Sequence, residues 1–396
     1  MKFFMLLLWV LPLLYLTFAV LYHVFLAVAY FVTADRARVD APRMRRYLLF
    51  IPAHNEEIMI GRILTSLKSV DYPPERFDVR VIADNCTDRT AEIAGSYSVG
   101  VLTRVDESKK GKGFAIAWAM KEVDLGAFDA VVIADADNLI DPKFFRGLDE
   151  VMDAGFKAVQ CNNCLANSDE TAFTKVIHLS RTINNELYHH AKYKIGLSSY
   201  LMGNGMCFTT GLLGDHPWAT GTIAEDYEYY ARLASCDVPV GFAANSRLYH
   251  QESRDLRQAS KQRLRWSSGR FQVAKRYGFT LIKKGLKDRN FRMIDASFPL
   301  ILPNLSLMVN MTAAALAAAI VVNYFHPVPL VVSWLIVLVA LEVAYFVSGM
   351  FLTRMPVFTF LFALGFAPFF LLWKACIDVL GISGRRAGQW GRSTRI

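Results

Sequence analysis

Charge is what this sequence has least of for its length. Of 396 residues only 20% are Asp, Glu, Lys or Arg, whereas 54% are hydrophobic and the mean hydropathy is +0.27. That balance is too apolar for an ordinary soluble protein. Residues Phe3 to Ala34 contain none of the four charged types, and a membrane-spanning helix needs only about 20 such residues. A cleaved signal peptide would have an apolar core of about 7–15 residues, so this longer stretch reads as an uncleaved anchor, tilted in the bilayer. Cysteine is also sparse: Cys86, Cys161, Cys164, Cys207, Cys236 and Cys376. Most of them fall in the part assigned below to the reducing side of the membrane, so disulfides are not expected. Cys161-Asn162-Asn163-Cys164 has no second pair at metal-ligand spacing, which argues against zinc. Internal repeats and low-complexity tracts are missing as well.

What charge there is has a direction. Lys2 alone precedes the first apolar stretch, while Arg36, Arg38, Arg43, Arg45 and Arg46 follow it. The positive-inside bias then puts the amino terminus outside and the following domain in the cytoplasm. The net charge of +9 is concentrated between Arg254 and Arg292 and between Arg385 and Arg395, where it would meet anionic headgroups of the lipid bilayer. Nucleic acid is not expected as a partner.

From Tyr47 to about His250 short apolar runs alternate with amphipathic stretches, the pattern of an α/β domain. Leu48 to Ile51, Val79 to Ala83, Gly100 to Thr103 and Ala130 to Ala134 read as buried parallel strands. Helices Glu56 to Ser69, Asp88 to Ser96 and Gly113 to Val123 fit between them. Lys157 to Gln160 and Gly203 to Thr209 read as further strands, and Asp226 to Leu233 as a helix. Asp255 to Tyr277 interleaves basic and apolar residues at helical spacing, as interfacial helices do. Spans near Ala296 to Val322 and Val328 to Leu352 form a hairpin. Met355 to Trp373 is read as a re-entrant or interfacial segment, because a crossing would move the basic tail outside. Glu342 is then an intramembrane carboxylate, either functional or hydrogen-bonded within the helix bundle. The chain divides into an anchor (1–34), the α/β domain (45–252), interfacial helices (253–293), a carboxyl-terminal membrane region (294–380) and a basic tail (381–396).

The chemistry-bearing residues follow strands, where α/β sheets bind ligands. Asp135-Ala136-Asp137 leaves the strand ending at Ala134, and alternation projects both carboxylates to one side. Such a pair suits Mg2+ or Mn2+ bound together with substrate phosphates; a solvated turn is the plain alternative. Asp84, within Asp84-Asn85-Cys86-Thr87-Asp88, lies too early to cap the next helix and can accept hydrogen bonds from a ribose or base. Lys109-Lys110-Gly111-Lys112-Gly113 lacks the Gly-Lys-Ser/Thr ending of a P-loop, yet offers cations to a diphosphate or simply forms a solvated loop. Glu225-Asp226 opens a helix, where the dipole stabilises a carboxylate or where one acid serves as a general base. Gln262-Arg263-Leu264-Arg265-Trp266 offers a bidentate guanidinium and a flat aromatic face, or snorkelling arginines with an interfacial anchor.

Taken together with Ile51-Pro52-Ala53-His54-Asn55-Glu56-Glu57 and Gly203-Asn204-Gly205-Met206, these motifs resemble the inverting family-2 glycosyltransferases of GT-A (Rossmann-like) fold. The similarity is to the membrane-integrated branch that contains cellulose, hyaluronan, chitin and poly-N-acetylglucosamine synthases. It covers about residues 45–275. The resemblance implies that Ala53, His54, Glu56 and Asp84 contact the nucleoside and that Lys112 reaches the donor. Asp135 and Asp137 would carry the metal and diphosphate. Asp226, with Glu225 beside it, would be the base; Gln262 and Arg265 would meet the diphosphate; Trp266, Asn204 and Gly205 would lie on the acceptor side. Trp390-Gly391-Arg392-Ser393-Thr394-Arg395 is similar to the tryptophan-arginine tail of several such synthases. Two departures stand out. Ala224 replaces a frequent Thr before Glu225-Asp226, and the spans are fewer than in polymer-exporting synthases, so a closed export pore within one protomer is not expected.

The expectation is a multi-pass inner-membrane enzyme with a cytoplasmic active site, moving a sugar from a UDP-sugar to a growing polysaccharide or oligosaccharide. Single-sugar transfer to a lipid is the alternative. A transporter or structural subunit with a degenerate domain is a remote third, since only Glu342 places an acid within a span. Sugar choice is expected to depend on the pocket around Asn138, Asn162 and His216. A homo-oligomer or an export partner stays open.

Overall fold

The computed structural model describes residues 2–36, 42–253, 256–353 and 356–382. Arg38, Arg254, Asp255, Met355 and the basic tail with Trp390 lie outside them. The α/β domain is built on one eight-stranded sheet in the order β3-β2-β1-β4-β7-β6-β8-β5. Its strands are β1 Tyr47–Ala53, β2 Phe77–Asp84, β3 Gly100–Arg104, β4 Ala130–Ile133, β5 Asn138–Ile140, β6 Ala158–Leu165, β7 Met206–Thr209 and β8 Val240–His250. Parallel pairing joins β3, β2, β1 and β4, and β6 with β8; β7 runs antiparallel between β4 and β6.

The four parallel strands expected from the sequence are present, but β3, at the sheet edge, is mostly half-exposed rather than buried. Every residue of β1 is buried, as befits a central strand covered on both faces. Each such aliphatic or aromatic side chain contributes about 1.5–3 kcal/mol of hydrophobic stabilisation. Two strands have no counterpart in the expectations. β5 has only three residues, and β8 carries polar Asn245, Ser246 and Arg247 in its second half. Tertiary pairing with β6 and β5 holds β8 extended despite that composition.

The long apolar helices also differ in detail from the expected spans. Lys2–Val32 is one helix, and the hairpin helices are Leu305–Phe325 and Pro329–Thr353. Ala296 to Ile301 belongs instead to a separate helix, Phe291–Ile301, which stops at Leu302 in an extended conformation. Pro303 follows, and the residue before a proline is pushed out of the helical region. Val357–Ile382 is a single helix with Pro368 inside it, so no re-entrant break occurs there. Its inward face packs Phe370 and Trp373 against Phe173 and sets Gly381 beside Ser267. Four helices of the described residues are long and apolar enough to cross a membrane: Trp9–Val32, Leu305–Phe325, Pro329–Thr353 and Gly365–Ile382. Glu342 accepts a hydrogen bond from Thr312 on the neighbouring helix at 2.9 Å, the bundle contact that was one of its two readings.

A fully buried ion pair joins the domain to these helices. Lys192 Nζ lies 2.9 Å from Asp295, neither side chain is exposed, and Tyr22 of the first helix donates to Asp295 at 2.6 Å. Burial pulls the Lys192 ammonium below its ordinary range, opposed by Asp295. Removing one partner leaves a stranded charge and costs about 3–5 kcal/mol. Lys192→Met is therefore expected to lower Tm by roughly 5–15 °C in detergent-solubilised protein, whereas Lys192→Met with Asp295→Asn recovers most of the loss. Equal Tm values for the single and double variants would show that the pair is not what couples these helices.

Candidate active site

Turns after β1 and β2 are made by asparagines in the left-handed region, Asn55 (φ 56°) and Asn85 (φ 49°), one of the few residue types that tolerate it. Their side chains tie the loops together. Asn55 Oδ1 accepts from Thr87 N at 2.7 Å, and Asn85 Oδ1 accepts from Asp106 N at 2.8 Å. The ring nitrogen Nδ1 of His54 lies 2.8 Å from the carbonyl oxygen of Asp84. These contacts fix the ligand edge of the sheet before any ligand binds.

One cavity of about 840 Å³ opens from this edge, and it gathers most of the motifs. His54 and Glu56 line it after β1; Asp135 and Asp137 line it after β4. Lys112 enters from the first turn of the Lys112–Glu122 helix, and Glu225 and Asp226 from the first turn of Glu225–Ser235. Gln262, Arg265 and Trp266 of the Leu256–Val273 helix complete that part of the wall.

Lys112 is the hub. Its ammonium donates to Asp135 and to the Gly203 carbonyl and sits 4.0 Å from Glu225. Burial alone would lower its pKa, but Asp135, Glu225 and Asp226 outweigh burial and hold it above the ordinary value. The acids respond in the opposite sense. Burial, reinforced by the charge of Glu225, pushes Asp226 up to about 7, and burial also raises Glu225 in spite of Lys112. The helix dipole at this first turn favours the carboxylate, but desolvation of two adjacent acids is larger. Gly203 makes the close approach feasible: its φ is +76°, and a Cβ there would stand 2.9 Å from Asp226 Oδ2.

Several residues expected at the site stand behind the wall instead. Ala53 is buried, and its carbonyl accepts from the Cys86 thiol at 3.4 Å. Asp84 is wholly buried and paired with Arg104 at 2.5 Å, although its Oδ2 has no hydrogen-bond partner among the described residues. Asn204 is a scaffold: its Oδ1 accepts from the backbone N of Asp135 at 3.1 Å and from Asn138 at 2.7 Å. At Gly205 (φ +64°) a Cβ would lie 1.8 Å from Cys161 Sγ, so this glycine is needed for packing. Asn138 and Asn162 are likewise buried in hydrogen bonds, and His216 accepts from Tyr229 through its carbonyl. None of these seven residues lines the cavity.

The structure adds residues that the motifs did not point to. Arg181, Arg270 and Lys374 line the same cavity. Arg270 falls in the basic stretch Asp255 to Tyr277 noted in the sequence; Lys374 and Asp378 are charges four apart in an otherwise apolar helix of crossing length, so Glu342 is not alone as an acid in such a helix, and that pattern marks function or pairing. Asp378 accepts from Lys374 at 2.7 Å, from Ser267 at 2.8 Å and from Asn304 at 2.7 Å, tying the last helix to the one that carries Trp266.

Among the described residues no group of three or more His, Cys, Asp and Glu is assembled as a metal cage. Asp135 and Asp137 nonetheless fit a hard divalent ion. They are oxygen donors on the cavity wall, Asp135 already holds a cationic ammonium, and such ions are commonly bound by one or two carboxylates with substrate phosphates completing the shell.

A mixed α/β sheet with two acids beyond one strand, and two more on a helix across the cavity, is the arrangement of a glycosyltransferase domain. Residues 42–269, more than half of the chain, match the family described as "Glycosyltransferase like family 2", and the chain belongs to that family. It is 24% identical over 265 residues to "Probable glycosyltransferase YdaM" of Bacillus subtilis (strain 168), covering 63% of this chain and 62% of the relative. It is 26% identical over 248 residues to the beta-monoglucosyldiacylglycerol synthase of Synechocystis sp. (strain ATCC 27184 / PCC 6803 / Kazusa), covering 61% and 50%. These matches thus span between half and two thirds of the relatives' lengths. Among solved structures, a mannosyltransferase from Pyrobaculum calidifontis in complex with GDP-Man and Mn2+ superposes with a TM-score of 0.54 at 18% identity, covering 85% of this chain and 96% of that one. That likeness shows the GT-A fold.

A base must be ionised to work, so a group with a pKa near 7 is active above that pH and loses activity about tenfold per unit below it. The acid limb of the rate profile at low donor concentration is expected near pH 7. Glu225→Gln removes a neighbouring negative charge and should move that limb to lower pH; a limb that stays in place would dissociate it from Asp226.

Proposed function

We propose that this chain transfers a sugar from a nucleotide sugar, a UDP-sugar by our reading, to a hydroxyl on a membrane-borne acceptor. The reaction is a single displacement with inversion at the anomeric carbon. Asp226 accepts the acceptor proton as the new C–O bond forms, while Glu225 keeps its pKa high and Lys112 limits the repulsion among the acids. His54 and Glu56 face the nucleoside, with Asp84 and Ala53 supporting them from behind. Gln262 and Arg265 meet the diphosphate, and Trp266 presents a ring face to a sugar. Asp135 and Asp137 would hold Mg2+ or Mn2+, which when bound supplies positive charge to the departing diphosphate.

One observation carries the reading: Asp135, Asp137, Asp226 and the Gln262-to-Trp266 motif open onto one cavity, which continues to His23 and Tyr345 of membrane-length helices. A lipid acceptor suits that continuation better than the polymer expected from the sequence, and a relative named as a glucosyldiacylglycerol synthase supports it. We place the protein as multi-pass in the inner membrane with the α/β domain on the cytoplasmic side and the Val357–Ile382 helix lying along the interface. The proposal needs no oligomer or export partner, because every group it uses is in one chain.

Detergent-solubilised protein assayed with a panel of UDP- and GDP-sugars, with and without Mg2+ or Mn2+, tests the proposal. Asp226→Asn should retain nucleotide binding and lose about 10²–10⁴-fold in transfer, and full turnover by that variant would overturn the base assignment. Asp135→Ala should weaken metal-dependent donor binding, seen as a raised Kd for the metal–nucleotide complex. A product carrying one sugar supports the lipid acceptor; a ladder of lengths supports polymer synthesis instead.

A further inference from the structure

The cavity has a cationic sector for which the transfer chemistry above has no use. Arg181, Arg263, Arg270 and Lys374 line it. Two of the four have a carboxylate: Arg263 sits 3.0 Å from Glu252, and Lys374 lies 2.7 Å from Asp378. Arg181 and Arg270 have no ion pair among the described residues. Arg270 donates through Nη2 to the Leu302 carbonyl at 2.6 Å, and its buried Nε has no partner. Burial, only partly countered by Glu252, pulls the Arg181 guanidinium below its ordinary range. Guanidinium groups enclosed without counter-ions are suited to receive an anion, and their planar fork fits phosphate or carboxylate.

The wall beside them is apolar. Ile177, Ile183, Phe298, Leu302, Tyr345 and Phe370 continue the cavity among the helices at the membrane side. An occupant must therefore satisfy two chemistries at once: negative charge beside the arginines and hydrocarbon beside the aromatic and aliphatic side chains. A free nucleotide supplies only the first of them, and a neutral glycan supplies neither.

We infer that the acceptor is an anionic lipid with a free hydroxyl in its headgroup, its phosphate or carboxylate held by Arg181 and Arg270 and its chains lying along Phe298, Leu302, Tyr345 and Phe370. This rests on the transfer reading given above. The hydroxyl is required because an already ionised oxygen has no proton to give, and the cavity places a base, Asp226, for a group that does. In the transfer the headgroup oxygen bonds to the anomeric carbon and its proton passes to Asp226. The bond from that carbon to the diphosphate breaks, and its electron pair leaves with the nucleoside diphosphate.

Mixed micelles of neutral phosphatidylcholine provide the test, doped in turn with phosphatidylglycerol, diacylglycerol or phosphatidic acid and supplied with whichever donor the wild-type protein turns over. Phosphatidylglycerol, carrying both anion and hydroxyl, should be glycosylated at least about tenfold faster than diacylglycerol, the advantage expected of a hydrogen bond to a charged group. Phosphatidic acid should compete with it without being glycosylated. Arg181→Gln and Arg270→Gln should bring the phosphatidylglycerol-to-diacylglycerol ratio near one while nucleotide binding persists, and Arg270→Lys should keep part of the preference. A ratio near one in the wild-type protein, or a preference unchanged in both glutamine variants, overturns the inference and leaves sugar transfer standing. Absence of donor turnover overturns the transfer reading first. In that case phosphatidic acid binding, followed by tryptophan fluorescence, still decides the anion site: equal affinity for wild type and Arg181→Gln rejects it.

Discussion

Crowding of negative charge in one cavity is the constraint around which this molecule is arranged. Asp135, Glu225 and Asp226 approach each other where water is partly excluded, and without a cation the arrangement would repel itself. Lys112 supplies that cation, bonding Asp135 and the Gly203 carbonyl and standing 4.0 Å from Glu225. The same contact draws four separate chain segments to one point: the helix after β3, the end of β4, the approach to β7 and the Glu225–Ser235 helix. Each segment is held from behind, Asn204 fixing the backbone of Asp135 and Tyr227 N donating to Asp226 at 2.8 Å. The electrostatic tension remains visible in the carboxyl of Asp226, raised to about 7, which is also what a proton acceptor working near neutral pH needs.

The long apolar helices are not merely attached to this domain; they finish its cavity. Tyr22, Lys192 and Asp295 bind the first helix and the Phe291–Ile301 helix to the sheet domain through fully buried charge. At the other end Asp378 collects Lys374, Ser267 and Asn304, which fixes the helix bearing Gln262 and Trp266 against the last helix. Arg263 is held between the rings of Trp266 and Trp373, 5.9 and 5.7 Å from their centroids, while pairing with Glu252. Polar knots of this kind fix geometry more than they add stability, because the desolvation of each charge offsets much of its attraction. Their effect is that groups on the sheet and groups on the apolar helices share a single wall.

Much of this was legible along the chain. Short apolar runs announced β1 to β4, and β1 and β4, buried at every position, must be apolar because both faces are covered. Acids placed directly after those strands announced the ligand edge. The differences have a common origin. Asp84, Ala53, Asn204 and Gly205 sit in recognisable motifs, yet none of them lines the cavity: a motif reports that a residue matters locally and not on which side of the wall it stands. β8 escaped notice because its extended form comes from pairing with β6 and β5, and the stop at Leu302 was set by Pro303, one residue that hydropathy alone does not weigh.

By itself the sequence determined the α/β alternation, the apolar helices and the types of chemical group available, because periodicity and composition are local properties. Only the tertiary structure decided which groups meet. The depth of Asp84, the hub at Lys112, the raised carboxyl of Asp226 and the cationic sector of Arg181, Arg270 and Lys374 all depend on distances between residues far apart in the chain. Burial and charge proximity set those properties, and neither exists until the chain has folded.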